Sequence, residues 1–321
     1  MAILAGIDEA GFGPVVGPLV VSLCVLRVPE EMANQCLWRR LSGCVTRRAF
    51  RKSPAMPIAD SKLLHVRSDG VIHLERGVLG MLHQLGHAPR ELALLLELLC
   101  PHVIAETAGY PWYAQPHLPL PRQADAQDVL LRANAVSAAM KKHRIELLSM
   151  KAEPVLEGRY NKLLAATRNK SVTSFTYVSK LIVDALGFGQ AGEPVRIVVD
   201  RQGGRMRYLE HLEKMFEGGR FKIMEESEAK SAYLIAHQGQ QIEVSFLVQG
   251  EAACLAVALA SMISKYVREL FMELLNGYWA KLVPDLKPTA GYYADGRRFV
   301  KDVSAALIKS GIDRALLVRA W

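Results

Sequence analysis

Four acidic residues lie where the chain passes from a predicted strand into a turn or a helix. Asp8 and Glu9 follow the apolar run AILAGI, Asp200 follows VRIVV, and Glu251 follows FLVQG at the start of a long apolar segment. Because the ends of neighbouring strands lie about 5 Å apart, such side chains can converge on one point. Clustered carboxylates raise one another's pKa unless a cation neutralises them. Oxygen ligands of this kind suit Mg²⁺ or Mn²⁺, so the pattern predicts a metal site.

Two divalent cations about 4 Å apart would give such a cluster a chemistry, because they activate an attacking water and stabilise the leaving oxygen of a phosphodiester. The acids by themselves do not decide the matter. The chain has 32 Asp and Glu residues, so some of them fall at strand ends by chance. From spacing alone, the pattern indicates either a metal-dependent phosphodiesterase or an acidic surface loop.

The elements that would position these acids are short apolar runs bounded by glycine, proline or acids, which predict strands. Five such runs occur, at residues 2–8, 18–28, 193–200, 220–227 and 240–249. Apolar residues recur at helical spacing in three segments, 70–100, 125–148 and 250–279. The segment 101–123, dense in proline and aromatic residues, predicts a long surface loop. Strands interleaved with helices predict an α/β layer fold.

The composition excludes several classes of protein. Half of the 321 residues are hydrophobic and 22% are charged, which is ordinary for a globular chain. No uncharged apolar stretch of about 18 residues occurs, which argues against a membrane span. Five cysteines without a CxxC pair argue against a disulfide framework or a zinc cluster and predict a reducing, cytoplasmic location. The sequence gives no sign of an oligomer, and we expect a monomer.

The charge balance favours an anionic partner. The net charge is +8, and two stretches are especially basic. Residues 38–52 hold six Lys or Arg residues and no acid, with Trp38 and Phe50 among them, and residues 141–170 hold eight Lys or Arg against three Glu. Such stretches bind nucleic acid, although a solvated helix face gives the same pattern.

Five segments resemble, in order, the motifs of the type 2 ribonucleases H (ribonuclease HII). AGIDEAGFGPVVGPLVV at residues 5–21 resembles the first motif of that family, GxDEAGRGPxxGP, and ADSKLL at 59–64 resembles its DSK segment. VVDRQGG at 198–204 is similar to the strand that ends in the family's third acid. AGYYADGRRFVKDV at 290–303 resembles the late KGYPT segment and the helix after it.

The most specific similarity lies at residues 250–269, GEAACLAVALASMISKYVRE. The family's GDAKSxxIAAASIxAKVxRD aligns with it without a gap, and Glu251 takes the place of an aspartate. A competing segment, EAKSAYLIA at 228–236, would make Glu228 the fourth acid. The polar HQGQQ that follows it would break the long apolar helix that the motif requires, so we prefer Glu251.

The resemblance implies a ribonuclease H-like fold, in which helices flank a five-stranded mixed sheet and a helical C-terminal extension follows. It places a catalytic domain at residues 1–275, with insertions near 31–57 and 86–130, and the extension at 276–321, packed on the same domain. The insertions themselves do not resemble the family.

The resemblance also implies an endonuclease that hydrolyses the RNA strand of RNA–DNA hybrids, or cuts at ribonucleotides embedded in DNA, with two Mg²⁺ or Mn²⁺ ions. Asp8, Glu9, Asp200 and Glu251 would be the catalytic, metal-binding carboxylates. The residues implied to bind substrate are Gly11, Phe12, Gly13, Lys62, Arg201, Ser261, Lys265, Arg268 and Tyr292. Of these, Lys62, Ser261, Lys265 and Arg268 would make phosphate or structural contacts, and Tyr292 would contact a sugar or base.

The chain departs from the family at positions that concern the substrate. Phe12 replaces the arginine of the family's GRG turn, which approaches the ribose 2′-hydroxyl, so a guanidinium that could bind phosphate is absent. Phe12 would stack on a base or pack inward. Glu251 lengthens one ligand arm by a methylene, and Ala253 with Cys254 replaces Lys-Ser. Arg201 would bind phosphate or pair with the neighbouring Asp200.

These departures keep alternatives to the ribonuclease open. One is a nucleic-acid-binding protein on a ribonuclease H-like scaffold with weak or no catalysis, for which the two basic stretches would provide the binding surface. Another is a nuclease that cuts structured DNA. Four clustered acids favour catalysis over binding alone, because they are costly to hold together without a cation.

Overall fold

The computed structural model describes residues 1–48, 53–66, 68–190 and 192–320. Within these ranges the chain forms nine strands: β1 (Ala2–Ala10), β2 (Leu19–Val28), β3 (Val45–Thr46), β4 (Met56–Pro57), β5 (Glu146–Val155), β6 (Val195–Asp200), β7 (Arg220–Glu226), β8 (Lys230–His237) and β9 (Gln240–Leu247).

Helices surround the strands. The α-helices in the described ranges are α1 (Leu37–Arg40), α2 (Ser61–Leu64), α3 (Ile72–Leu82), α4 (Leu92–Leu99), α5 (Pro101–Thr107), α6 (Ala126–Lys142), α7 (Glu157–Thr167), α8 (Lys170–Leu186), α9 (Leu209–Met215), α10 (Gly250–Ala253), α11 (Leu255–Leu282) and α12 (Tyr293–Lys309). Short 3₁₀ turns occur at Glu30–Met32, His83–Leu85 and Arg314–Leu316. No helix in the part of the chain so described is long and apolar enough to span a membrane.

The main sheet has seven strands in the order β5-β2-β1-β6-β9-β8-β7, and it is mixed. β1, β6 and β9 run parallel to one another at its centre, whereas the outer pairs are antiparallel. The α/β fold with helices flanking a mixed sheet is confirmed, but the predicted number of five strands is wrong. The two strands that the sequence did not indicate are β5 and β8.

The missed strands lack a strong local signal. β5 lies inside the basic stretch 141–170, and its sequence ELLSMKAEPV carries polar residues on both faces. β8 lies inside EAKSAYLIA, the segment that competed for the fourth acid. Each becomes a strand because an apolar neighbour pairs with it, β2 with β5 and β9 with β8. Such pairing is a tertiary property, to which intrinsic strand propensity contributes little.

The centre of the sheet is buried on both faces. Along β1, Ile3, Ala5 and Ile7 contribute to one hydrophobic core, whereas Ala2 and Leu4 contribute to the other. Near-continuous apolar sequence is what a strand needs when helices cover both faces. β1 therefore carries its terminal acids out of a fully buried scaffold.

Gly6 brings β1 into close contact with α11. A Cβ atom at Gly6 would lie 2.1 Å from the carbonyl carbon of Ala256 and 2.2 Å from the backbone nitrogen of Val257. Only glycine permits that separation. The end of β1 therefore lies beside the junction of α10 and α11.

The sequence predicted one long helix over residues 250–279, but the structure divides this segment into two helices. Cys254 is extended, with φ −125° and ψ 123°, and separates α10 from α11. The break gives Glu251 a short helix of its own, directly after β9. The predicted boundary between the catalytic domain and the C-terminal extension, at residue 275, falls inside helix α11. The division into these two parts stays a prediction.

The predicted surface loop at 101–123 is partly helical, and its aromatic residues are buried. α5 occupies its start, and Tyr110, Trp112 and Tyr113 are buried after it. The ring centroid of Trp112 lies 5.6 Å from that of Trp279 on α11. Aromatic side chains bury large areas, which explains why this part of the segment packs against α11.

Candidate active site

The four predicted acids lie at one edge of the sheet, where parallel strands β1, β6 and β9 end. Ile7 pairs with Val199, which makes Asp8 and Asp200 neighbours at the ends of β1 and β6. Glu251 lies on α10, which follows β9, and the backbone N–H of Gly250 donates to Asp200 Oδ1 at 2.8 Å. The carboxyl ends of adjacent parallel strands are the usual position for a site in an α/β sheet.

Burial and mutual repulsion raise the pKa of all four carboxyls. Burial is the largest cause at each, and it raises the pKa of Asp8 well above its usual range with a further contribution from Glu9. The pKa of Glu9 rises to about 7, with Asp200 and Glu251 among the causes. The pKa of Asp200 rises to about 6, in part because of Asp8, and that of Glu251 rises in part because of Asp200. The four groups form one electrostatic cluster.

Lys62 faces this cluster from α2. Although partial burial lowers its pKa, the carboxylates of Asp60, Glu251, Asp8 and Asp200 together raise it above the ordinary lysine value. Asp60 caps α2 by accepting from the N–H of Lys62 at 2.8 Å. Burial is also the main reason that the pKa of Asp60 is raised, with Glu251 contributing. Asp60 is a fifth acid at the site, which the sequence reasoning passed over although it lies in the quoted DSK segment.

Polar side chains form hydrogen bonds with the acids or with the backbone beside them. Ser261 is buried, contacts the Asp8 carboxylate and donates to Ser61 Oγ at 3.0 Å. Ser264 donates to the Asp8 carbonyl at 3.0 Å. On the other side, Gln202 is only 2% exposed and donates to Glu9 Oε2 at 3.2 Å. The sequence did not indicate Gln202, because nothing in its local pattern distinguishes it from a loop residue.

The carboxylate oxygens of these acids are ligands that a hard divalent cation prefers. The acids are, however, not arranged as a metal site. In the described part of the chain, no group of three or more His, Cys, Asp or Glu side chains is arranged to hold a metal ion. Internal donors occupy several oxygens: Asp8 Oδ1 accepts from the N–H of Glu9 at 2.6 Å, and Asp200 Oδ1 accepts from Gly250. Glu251 Oε2, by contrast, is buried without a hydrogen-bond partner. The carboxyl groups of Asp200 and Glu251 already contact each other, and a bound cation would take the place of that contact.

Two of the predicted substrate contacts belong to other networks. The Lys265 ammonium pairs with Glu269 Oε1 at 2.7 Å. Arg268 is fully buried, and its Nη2 donates to the carbonyl of Ala290 at 2.8 Å. Its guanidinium lies 5.3 Å from the ring of Tyr292, which is about half exposed. Arg268 therefore has a structural role, while Tyr292 remains accessible to a ligand.

Arg201 points away from the acids. Its Nη2 donates to the carbonyl of Ser227 at 3.0 Å and its Nη1 to that of Glu228 at 2.5 Å. Arg201 thus braces the turn between β7 and β8, and neither of the two expected roles, phosphate binding or pairing with Asp200, fits these contacts. The side chain of Glu228 is exposed in that turn.

The turn Gly11–Phe12–Gly13 follows β1 directly. Gly11 has a φ of +86°, which favours glycine. Phe12 packs against the core on the α8 face of the sheet, which is the inward position rather than the base-stacking one. Gly13 is exposed, and a Cβ atom there would meet no described atom within 4 Å. The shape of the protein therefore gives no internal reason for glycine at position 13.

The two basic stretches are less available than their composition suggests. Trp38 is buried and donates to the carbonyl of Ile58 at 2.8 Å, with the guanidinium of Arg47 3.9 Å from its ring centroid. Residues 49–52, including Phe50, lie outside the described residues. In the second stretch Lys151 pairs with Asp184 at 2.9 Å. These contacts reduce, without removing, the positive surface.

Comparison with known proteins gives similarity to ribonucleases H among solved structures. No protein-family model matches the chain. No curated protein matches it either. Ribonuclease HII from Archaeoglobus fulgidus, solved in a complex with PCNA, is 16% identical, with 99% of this chain and 95% of that one covered at a TM-score of 0.46.

Two further structures are similar to the same degree. For ribonuclease H2 from Pyrococcus horikoshii OT3 the identity is 15%, the coverage 99% and 93%, and the TM-score 0.45. Bst ribonuclease HIII in complex with Mn²⁺ is 13% identical, with 99% of this chain and 66% of that one covered at a TM-score of 0.44. Each TM-score lies below 0.5, so the fold described above rests on the strands and helices of this chain itself.

Proposed function

We propose that this chain is a ribonuclease H-type endonuclease that depends on divalent cations and cuts the RNA strand of RNA–DNA hybrids or ribonucleotides embedded in DNA. The observation that carries the proposal is the cluster of Asp8, Glu9, Asp200 and Glu251 at the edge of the sheet where β1, β6 and β9 end. The motifs around these acids support the same reaction.

The residues of the chain divide the work in this proposal. Asp8, Glu9, Asp200 and Glu251 would hold Mg²⁺ or Mn²⁺, and bound cations would supply an activated water and stabilisation of the leaving oxygen. Ser261 and Gln202 hold Asp8 and Glu9 in place. Lys62, which is exposed beside the acids, would bind a phosphate oxygen. The products would carry a 3′-hydroxyl and a 5′-phosphate.

The central experiment uses three labelled substrates in Mg²⁺ and in Mn²⁺: a continuous RNA–DNA hybrid, a DNA duplex with one ribonucleotide, and an all-DNA duplex. We expect cleavage of the hybrid, and loss of at least about a hundredfold in rate for Asp8→Asn or Asp200→Asn, because each removes an ionic ligand. Glu228→Gln is the matched control, since Glu228 lies in the competing motif but outside the cluster.

A readout without turnover tests the cation site. Mn²⁺ binding, followed by electron paramagnetic resonance, should weaken in Asp8→Asn and Asp200→Asn and stay unchanged in Glu228→Gln. Cleavage that persists in both Asn variants, or cleavage at the wild-type rate in EDTA, would contradict the proposal.

The second candidate is a nucleic-acid-binding protein with weak or no catalysis. Two observations favour it: no three acids of the described residues are arranged to hold a cation, and the net charge of +8 suits a polyanion. It predicts hybrid binding without turnover in either metal. Cleavage of the all-DNA or a junction substrate in preference to the hybrid would instead favour a structure-specific nuclease.

Three subsidiary expectations accompany the proposal: a monomer, a cytoplasmic location and a catalytic domain that ends near residue 275. All five cysteines are free, which supports a reducing compartment.

A further inference from the structure

Arg319 reaches back across the sequence to the turn beside the acids. Its Nη1 donates to the carbonyl of Gly11 at 2.5 Å and its Nη2 to the carbonyl of Phe12 at 3.1 Å. The backbone N–H of Arg319 also donates to the carbonyl of Val15 at 2.8 Å. One residue near the C-terminus thus holds three carbonyls of the segment that follows β1.

The side chain of Arg319 is enclosed. It is 2% exposed, and its guanidinium lies 3.9 Å from the ring centroid of Tyr160 on α7. Burying a guanidinium costs free energy unless its N–H groups find acceptors. The charge-assisted hydrogen bonds that it forms have a strongly preferred geometry. This position is below the turn, on the side opposite to solvent.

The contacts fix the direction of two peptide planes. In a trans peptide the C=O and the following N–H point in opposite directions. Because the carbonyls of Gly11 and Phe12 point inward to Arg319, the N–H groups of Phe12 and Gly13 point outward. No acceptor for either N–H occurs among the residues that the structure describes. Above them, a Cβ at Gly13 would enter open space.

We propose that Arg319 is a positioning residue for substrate binding: it holds the Gly11–Phe12–Gly13 turn so that two backbone N–H groups face an acceptor on the sugar–phosphate backbone of the nucleic acid. The inference rests on the proposed function for the identity of the ligand. Because the side chain of Phe12 packs against the core, the turn would meet the ligand with its backbone N–H groups and not with a side chain.

The test compares Arg319→Ala and Arg319→Lys with Arg132→Ala. Arg132 is a matched control: it is buried, donates to the backbone carbonyl of Ala55 at 2.7 Å and pairs with Asp128 at 2.8 Å, outside the cluster of candidate catalytic acids. Hybrid binding is measured in EDTA and cleavage kinetics in Mn²⁺. For Arg319→Ala we expect Kd and KM to rise about tenfold, as for the loss of one or two hydrogen bonds, with kcat changed far less. Arg319→Lys should restore part of the loss.

A second measurement does not depend on the ligand. The ¹⁵N order parameters of the Phe12 and Gly13 amides should fall from about 0.85, the value of rigid backbone, towards 0.6 in Arg319→Ala, and stay unchanged in Arg132→Ala. Order parameters that remain high in Arg319→Ala, or an equal rise of KM in Arg132→Ala, would overturn the positioning role. If wild-type protein neither binds nor cuts the hybrid, the proposed function fails, while the order parameters still decide whether Arg319 positions the turn.

Discussion

At the scale of single residues, the site combines acids that repel one another with side chains that offset their charge or hydrogen-bond to them. Lys62 offsets part of the negative charge, and Gln202 and Ser261 restrict the two acids that they contact. Asp60 adds to the repulsion. A cluster so arranged gains from any cation that enters it.

A further buried acid, Glu157, lies beneath the turn and gives the protein a pH-dependent stability. It accepts hydrogen bonds from the N–H of Gly17 at 3.0 Å and from the hydroxyl of Tyr113 at 3.1 Å. Burial outweighs these bonds and raises its pKa from 4.5 to about 7. Since the folded pKa exceeds the unfolded one, the stabilising contribution is complete below pH 4.5 and is lost as the pH rises through 7.

We therefore predict that Glu157→Gln, measured relative to wild type, becomes more stable as the pH rises from 5 to 8, by up to about 3 kcal/mol. Gln keeps an acceptor for Gly17 and Tyr113 and cannot ionise. Urea unfolding of both proteins at pH 5, 6, 7 and 8 measures the difference, in which the common contribution of the other acids cancels. A difference that does not change with pH would show that Glu157 is ionised at no cost in the fold.

At the scale of elements, the contact between β1 and α11 determines where the acids meet. Gly6 allows the two backbones to touch, and Ser264 of α11 binds the carbonyl of Asp8. Helix α11 therefore aligns the end of β1 with Glu251, which precedes α11 on α10.

Gly6→Ala should both destabilise the protein and impair the site. The new Cβ would overlap the backbone of Ala256, and overpacking of this kind costs about 1–3 kcal/mol. Urea unfolding measures that cost, and Mn²⁺ binding should weaken because α10 and β1 separate.

Gly277→Ala is the matched control for Gly6→Ala. Position 277 lies in α11, the helix that Gly6 contacts, and a Cβ there meets no described atom within 4 Å. It should leave Mn²⁺ binding unchanged and increase stability by about 1 kcal/mol, the advantage of alanine over glycine in a helix. A Gly6→Ala variant that is as stable as the wild type would mean that the β1–α11 contact tolerates a methyl group.

At the scale of the whole molecule, the net charge of +8 favours association with a polyanion. Several bases of the two basic stretches are paired or stacked within the fold, as Lys151 and Arg47 are. The binding surface is consequently smaller than the composition implies.

We predict that hybrid binding in EDTA weakens by at least about tenfold between 50 and 200 mM salt, because each phosphate contact releases counterions. A plot of log Kd against log salt gives the number of contacts. An affinity that does not respond to salt would contradict binding through phosphate and with it the role of Lys62. Lys151→Ala, which removes an already paired base, should leave the slope unchanged.

The sequence by itself determined the α/β class, five of the seven strands of the sheet and the positions of the four acids, because apolar runs that end in acids are local features. It also separated Glu251 from Glu228, since only the former precedes an apolar helix. In the structure Glu251 shares the electrostatic cluster with Asp200, whereas Glu228 is exposed in the turn between β7 and β8; the catalytic role of Glu251 stays a prediction.

Only the tertiary structure decided what depends on distant partners. β5 and β8 are strands because β2 and β9 pair with them, and Trp112 is buried because α11 offers Trp279. The roles of Arg201 and Arg268 followed from which carbonyls lay within reach. Arg319 lies 308 positions from Gly11, and no local pattern connects the two. Such contacts form where the packed core leaves buried carbonyls that need donors, and the chain's order does not record that requirement.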